Sequence, residues 1–412
     1  MKHWFNKSLE KLQVHTKTDL RYIIQGGFWS ASNYGIQVLA GVITTIALAN
    51  FLPQESLGTY QYILSVASIL GVLTLSGLNT ATTRAVAQGL DGVLRSGFFL
   101  KLRWSLVAAS VSTAISVYYL WSGDDVLGFS FLIIAACIPL LESFKLYENY
   151  LQGKQAFKDT VLLGFWRKPL PVVAILIALF FTDNVLILIA TYFTTNLVSY
   201  GAVYLAVLRK YRPEKMFDKS TYQLSKHLSF FKIIAEVSSH ADKILIWHFL
   251  GAAEVAIYTI AQLAVRYSGG FISTINSIVL PKVSQRDLKT LQQTLPRKAL
   301  FFFGFMATGT VLYILLAPYL FAMLFPQYSD AILYSQVLSL SLLLAPRAMF
   351  GQVLLAHKIL YAQYALIVVN VLLKLTLLAT LLPLFGIWGA IYSVLATETV
   401  LLILTLYYFI RA

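Results

Sequence analysis

Phe51-Leu52-Pro53-Gln54-Glu55-Ser56-Leu57-Gly58-Thr59-Tyr60 and Phe249-Leu250-Gly251-Ala252-Ala253-Glu254-Val255-Ala256-Ile257-Tyr258 follow one pattern: Phe-Leu, four variable residues, Leu or Val, Gly or Ala, a variable residue, Tyr. Each closes one apolar run and opens the next, and they lie 198 residues apart. Tyr192 and Tyr392 are related by an offset of 200. If six membrane spans separate the copies, both halves keep the same orientation, because six is even. The result is a parallel repeat about an axis along the membrane normal, an architecture of alternating-access transporters.

Composition supports that class. The chain of 412 residues is 58% hydrophobic and 12% charged, against about 45–50% and about 25% in an ordinary soluble domain. So little charge cannot cover a water-facing surface, which excludes a cytosolic enzyme and a disordered tail. A membrane-crossing helix needs about 20 mostly apolar residues. Runs of that kind predict twelve spans, near 25–51, 57–78, 104–121, 127–149, 163–182, 185–207, 228–250, 253–278, 299–319, 331–356, 361–383 and 386–410. The expected fold class is therefore all-α integral membrane, with twelve transmembrane helices in two parallel-repeat six-helix bundles. Residues 1–208 would hold the N-terminal bundle and its tail, 209–227 a basic linker, and 228–412 the C-terminal bundle. The basic segment 1–22 has no apolar core of its own, so no cleavable signal peptide is predicted.

Charge orients the spans. Twenty-seven of the 32 Lys and Arg residues fall on one side, from Lys2 to Arg21, Arg84 to Arg103, Lys145 to Lys168, Arg209 to Lys226, Lys282 to Lys298, Lys358 and Arg411. The opposite side carries acids such as Glu55, Asp124, Asp125, Asp183, Glu254 and Asp330. Basic residues collect in cytoplasmic connections, so both termini are expected in the cytoplasm. That also explains the formal charge of +14 without nucleic acid.

Ala241-Asp242-Lys243-Ile244-Leu245-Ile246, then Phe249-Leu250-Gly251 and Ile257-Tyr258-x-Ile260-Ala261, resemble the seventh-to-eighth helix signature of the Wzx-type polysaccharide flippases. Leu57-Gly58-x-Tyr60 followed by Gly77-Leu78-Asn79-Thr80-Ala81 does the same in the first half. These proteins belong to the multidrug/oligosaccharidyl-lipid/polysaccharide (MOP) exporter superfamily, and the resemblance covers the whole chain. It implies a MATE-like fold and movement of an undecaprenyl-pyrophosphate-linked oligosaccharide from the cytoplasmic to the outer leaflet of the bacterial inner membrane. Implied partners are that lipid-linked substrate, membrane lipids, and the polymerase and glycosyltransferases of the same polysaccharide.

Ionisable groups inside a bilayer are costly, about 2.5–3.5 kcal/mol each on insertion scales, and mark function by default. Lys232, Glu236, His240 and Lys243 recur at helical spacing in span seven and, with Ser239, form a polar stripe about 100° wide; Asp242 lies off its edge. A four-residue Lys232–Glu236 pair is the packing alternative. Arg266, Arg347, Lys374 and Glu398 sit inside spans eight, ten, eleven and twelve. A diphosphate diester carries two negative charges, which an Arg fork or a Lys point charge can hold. Lys243, Arg266, Arg347 and Lys374 are the candidate substrate-binding residues, and Glu236, His240, Asp242 and Glu398 the candidate ion-coupling ones. Asn33, Gln37, Gln61, Gln336 and Gln352 are candidates for sugar hydroxyls.

Other chemistries find no support. The single cysteine, Cys137, lies in an apolar run and cannot form an internal disulfide. No Walker A, HExxH or GxSxG sequence occurs, and no Cys/His cluster suggests a metal. No cofactor and no enzyme activity are predicted. A cation-coupled multidrug exporter would favour a cavity dominated by acids. A polysaccharide polymerase or ligase typically shows a large, basic outer loop, and the outer connections here are short and without Lys or Arg.

Overall fold

The computed structural model describes residues 20–214, 218–270, 283 and 286–412, with side chains from residue 34 onward. Among them every regular element is helical. Nine helices are long and apolar enough to cross a membrane, and the bent pair Gln54–Val72 and Gly77–Ala87 makes a tenth. Span seven, Lys219–Leu250, carries the charged stripe instead of a uniformly apolar surface. Span eight begins with Ala252–Ala261 and continues through 263–270; its expected remainder lies outside the described residues. The twelve expected spans are thus all represented.

In lipid every backbone polar group needs an internal partner, which leaves helices as the available form for such apolar runs. Large apolar side chains point outward accordingly: Phe301, Leu315, Leu372 and Ile403 are exposed, whereas Ser105, Ser112, Ser116 and Ser393 are fully buried between helices. Small residues at interfaces let helices approach closely. Ser112 and Ser116 hydroxyls each donate at 2.7 Å to carbonyls of the neighbouring span, those of Phe131 and Gly128.

The repeat motifs meet in space. Leu57, Tyr60, Val255 and Tyr258 are all buried, and helix Gln54–Val72 packs on Ala252–Ala261. A side chain at Gly58 would sit 1.7 Å from the Ala252 carbonyl oxygen, so this crossing requires glycine. Asn50 Nδ2 donates to the Leu324 carbonyl, and Gln54 Nε2 to that of Gln327, which ties spans one and two to span nine at the same end. At the opposite end Gly77 takes the equivalent part. Its Cβ would lie 2.2 Å from the Ser225 carbonyl oxygen, and its amide donates to Ser229 Oγ at 2.9 Å.

Spans two, four and ten are interrupted. Span two bends by 52° between Val72 and Gly77, where Leu75 adopts a positive φ of 59°. Span four breaks at Lys145, between Asp125–Phe144 and Leu146–Gly153. Span ten breaks through a 3-10 turn, Leu340–Leu344, before Arg347–Ala356. The last two breaks fall at the offset of the repeat.

Helices extend past the expected bounds at the basic end. Span three starts at Val93, span five at Phe157, span seven at Lys219 and span nine at Leu288. Of the expected linker 209–227, Arg209–Tyr211 ends span six and Lys219 onward opens span seven; Lys215 lies outside the described residues. Asp218 starts span seven by accepting from Thr221 N at 2.8 Å and Ser220 Oγ at 2.7 Å. These hydrogen bonds hold its carboxyl down at about 2, so the cap is lost only as pH falls through that value.

Candidate functional site

Span seven carries the charged groups of the second half, and its neighbours decide their partners. Asp242 is buried, and its Oδ2 accepts from Tyr258 Oη at 3.1 Å and Gln262 Nε2 at 3.0 Å. Lys374 of span eleven donates to the Ser238 carbonyl at 2.7 Å and stands 3.8 Å from the Asp242 carboxylate. Glu236 pairs with His240 at 3.3 Å. Lys232 reaches across to span two instead, donating to the Ser76 carbonyl at 3.3 Å and Thr80 Oγ1 at 3.1 Å. The bend in span two exposes that carbonyl, and so the four-residue Lys232–Glu236 pair does not form.

Lys243 and Arg266 differ from all of these. Neither side chain has a hydrogen-bond or ion-pair partner among the described residues, yet Arg266 is near enough to Lys243 to repel it. Arg347 and Glu398 pair with each other at 2.9 Å, and neither lines the cavities described next.

The N-terminal helices hold a second set of charges. Lys101 is completely buried; its ammonium donates to Asn79 Oδ1 at 3.0 Å and Glu142 Oε2 at 3.3 Å. Lys145, at the break in span four, donates to Glu142 Oε1 at 2.5 Å. Arg167 donates to Glu148 Oε1 at 3.0 Å and lies 4.0 Å over the Tyr200 ring. The sequence counted Lys101, Lys145 and Arg167 with the basic cytoplasmic side, Lys101 just outside span three; the structure puts Lys101 inside that helix and pairs all three with acids of span four and its continuation. A signal for Lys101 was present, because Lys101, Ser105, Ser112 and Ser116 mark one buried face of span three at helical spacing.

Two adjoining cavities result. One, about 840 Å³, runs between the halves and is lined by Lys145, Glu142, Glu236, His240, Asp242, Lys243, Arg266 and Lys374. The other, about 640 Å³, lies mostly within the N-terminal helices and is lined by Gln37, Gln61, Glu148, Arg167, Lys168, Tyr192 and Tyr200. Gln61, Leu64, Tyr192 and Arg266 border both. Six of the eight candidate site residues therefore line the inter-half cavity, while Arg347 and Glu398 do not. Gln336 donates to the Ile314 carbonyl, and the Asn33 side chain lies outside the described residues. No group of three or more His, Cys, Asp or Glu residues able to hold a metal occurs among the described residues.

Twelve helical spans around two adjoining charged cavities define a multi-pass membrane protein. The family profile described as polysaccharide biosynthesis protein matches residues 23–286, and the chain belongs to that family. No curated protein matches it in sequence. Among solved structures, an inward-facing multidrug resistance MATE family transporter of the MOP superfamily has a TM-score of 0.68 at 15% identity, covering 91% of this chain and 95% of its own. Lipid II flippase MurJ, in an inward closed conformation, has a TM-score of 0.67 at 13% identity, covering 93% and 87%. A MOP superfamily transporter from Pyrococcus furiosus has 0.62 at 15% identity, covering 95% of each chain. The fold is that of the MOP exporters, as the sequence resemblance implied.

Proposed function

We propose that this chain flips an undecaprenyl-pyrophosphate-linked oligosaccharide across the bacterial inner membrane by alternating access of its two halves. The observation that carries this reading is the pair Lys243 and Arg266. They are two cations without a hydrogen-bond or ion-pair partner among the described residues, facing one cavity, in a polysaccharide biosynthesis protein. A pyrophosphate diester supplies the two negative charges they lack, with Arg266 offering the fork and Lys243 the point charge. Lys374 is the second-rank candidate, since it already bonds Ser238 and faces Asp242. The Arg347–Glu398 pair serves to hold spans ten and twelve together. A multidrug exporter for cationic compounds is disfavoured by the same cavity, because its unpaired charges are positive.

The basic end is taken as cytoplasmic, so the substrate enters there and leaves toward the short acidic connections. Reporter fusions at Asp124, Asp183 and Gln327 are expected to read outside and a fusion at Lys289 inside; one clear inversion would overturn this orientation. Glu236 is the proposed coupling acid. It lines the cavity, has His240 as its one ion-pair neighbour among the described residues, and is less tightly held than Asp242. Coupling requires an ion to bind the two conformations with different affinity. In proteoliposomes the wild type is expected to move a fluorescent lipid-linked oligosaccharide in response to an imposed proton or sodium gradient. Glu236→Gln should lose that response. Unchanged gradient dependence in Glu236→Gln removes it from the coupling role, and no movement by the wild type defeats the flippase reading itself.

A further inference from the structure

Resting on the flippase reading, we propose that Lys101, which lines neither cavity, is a positioning residue. By sharing Glu142 it leaves the charge of Lys145 uncancelled toward the inter-half cavity, where Lys145 holds the substrate's pyrophosphate from the N-terminal helices. Lys101 is wholly buried inside span three, and its ammonium donates to Asn79 Oδ1 at 3.0 Å and Glu142 Oε2 at 3.3 Å. Asn79 follows the bend of span two, and Glu142 stands one turn before the break of span four. One buried lysine therefore joins two interrupted spans where each changes course. An apolar side chain of similar volume would pack there without desolvating a charge, and such replacements are often neutral or stabilising. Packing alone does not account for an ammonium at this position.

Charge gives it a task. Lys101 and Lys145 sit on different oxygens of one carboxylate, Lys101 on Glu142 Oε2 and Lys145 on Oε1 at 2.5 Å, and are close enough to repel each other. Two ammoniums against one carboxylate leave a single positive charge. Lys145 presents it, its side chain 33% exposed where those of Lys101 and Glu142 are 0% and 14%; the Tyr200 ring lies 5.6 Å from its ammonium. Without Lys101 the whole carboxylate would turn to Lys145 and form a neutral pair. Among the described residues lining the inter-half cavity, Lys145 is the one cation from the N-terminal helices, while Lys243, Arg266 and Lys374 come from spans seven, eight and eleven. A pyrophosphate has oxygens on two phosphorus atoms, so cations from both sets of helices can hold it at once.

The test measures KM and kcat for a fluorescent undecaprenyl-pyrophosphate-linked oligosaccharide, with the full chain in proteoliposomes. Lys101→Met makes the group neutral and is expected to raise KM roughly tenfold, the scale of one charge-assisted contact, with kcat little changed. Adding Glu142→Gln restores the single positive charge and should return KM to within about twofold of wild type, although more native hydrogen bonds are then lost. A residue that only packs gives the opposite order. Glu142→Gln alone leaves two positive charges, so the substrate is held too long and KM and kcat should fall together. This variant decides the matter even where Lys101→Met does not reach the membrane: a raised KM overturns the proposal. A wild-type KM in Lys101→Met, or a double variant no better than Lys101→Met, overturns the positioning role and leaves the flippase reading standing. No movement by the wild type overturns both.

Discussion

Alanine at both Lys243 and Arg266 stops export while the protein stays in the membrane at its normal level. The second half of that expectation follows from their lack of partners. Truncating one member of a buried pair strands the other, but among the described residues these two side chains close no hydrogen bond or ion pair, and each repels the other. Folding is spared, and mutual repulsion is relieved. The binding loss is large because each supplies charge-assisted hydrogen bonds of about 1.5–3 kcal/mol. Each is therefore worth roughly 10–100-fold in affinity, and the double variant falls below detection. Lipid-linked oligosaccharide should accumulate in the cytoplasmic leaflet. Arg266→Lys should recover part of the activity, keeping the charge without the fork. Full export by the double variant at normal abundance refutes pyrophosphate binding at this pair.

The spans were legible in the sequence because the bilayer removes alternatives. A long apolar run must satisfy its own backbone, so it is a helix wherever it lies. The repeat was legible for a steric reason: where Gly58 meets the Ala252 carbonyl, only a minimal side chain fits, and the motif survives around that crossing. Partners between helices were not legible. Spacing along span seven offered Glu236 to Lys232, but the bend of span two brings the Ser76 carbonyl and Thr80 to the lysine instead. Spacing likewise put Asp242 at the edge of the stripe. It becomes the centre of a network only because Lys374, Tyr258 and Gln262 arrive from spans eleven and eight. The partner of Arg167 was not legible either. Its helix, Phe157–Arg167, starts before the expected bound at 163, and Arg167 at its end meets Glu148 of the continuation of span four.

Asp242→Ala is expected to destabilise the C-terminal helices by about 3–5 kcal/mol, the usual cost of breaking a buried charge pair, and Lys374→Met in the same chain should restore most of it. In the single variant the Lys374 ammonium keeps only the Ser238 carbonyl, while Tyr258 and Gln262 lose their common acceptor. Methionine in place of Lys374 removes the stranded charge and fills its volume with a flexible apolar chain. Thermal unfolding in detergent, without substrate, checks both steps; equal stability of Asp242→Ala and wild type would show that the pair contributes nothing to holding spans seven and eleven. The rescued double variant then separates packing from coupling. A pair that only packs leaves transport and its gradient response as in wild type. Lost gradient response at restored stability means that Asp242 exchanges its hold on Lys374 during the cycle, sharing with Glu236 the bias between the two conformations.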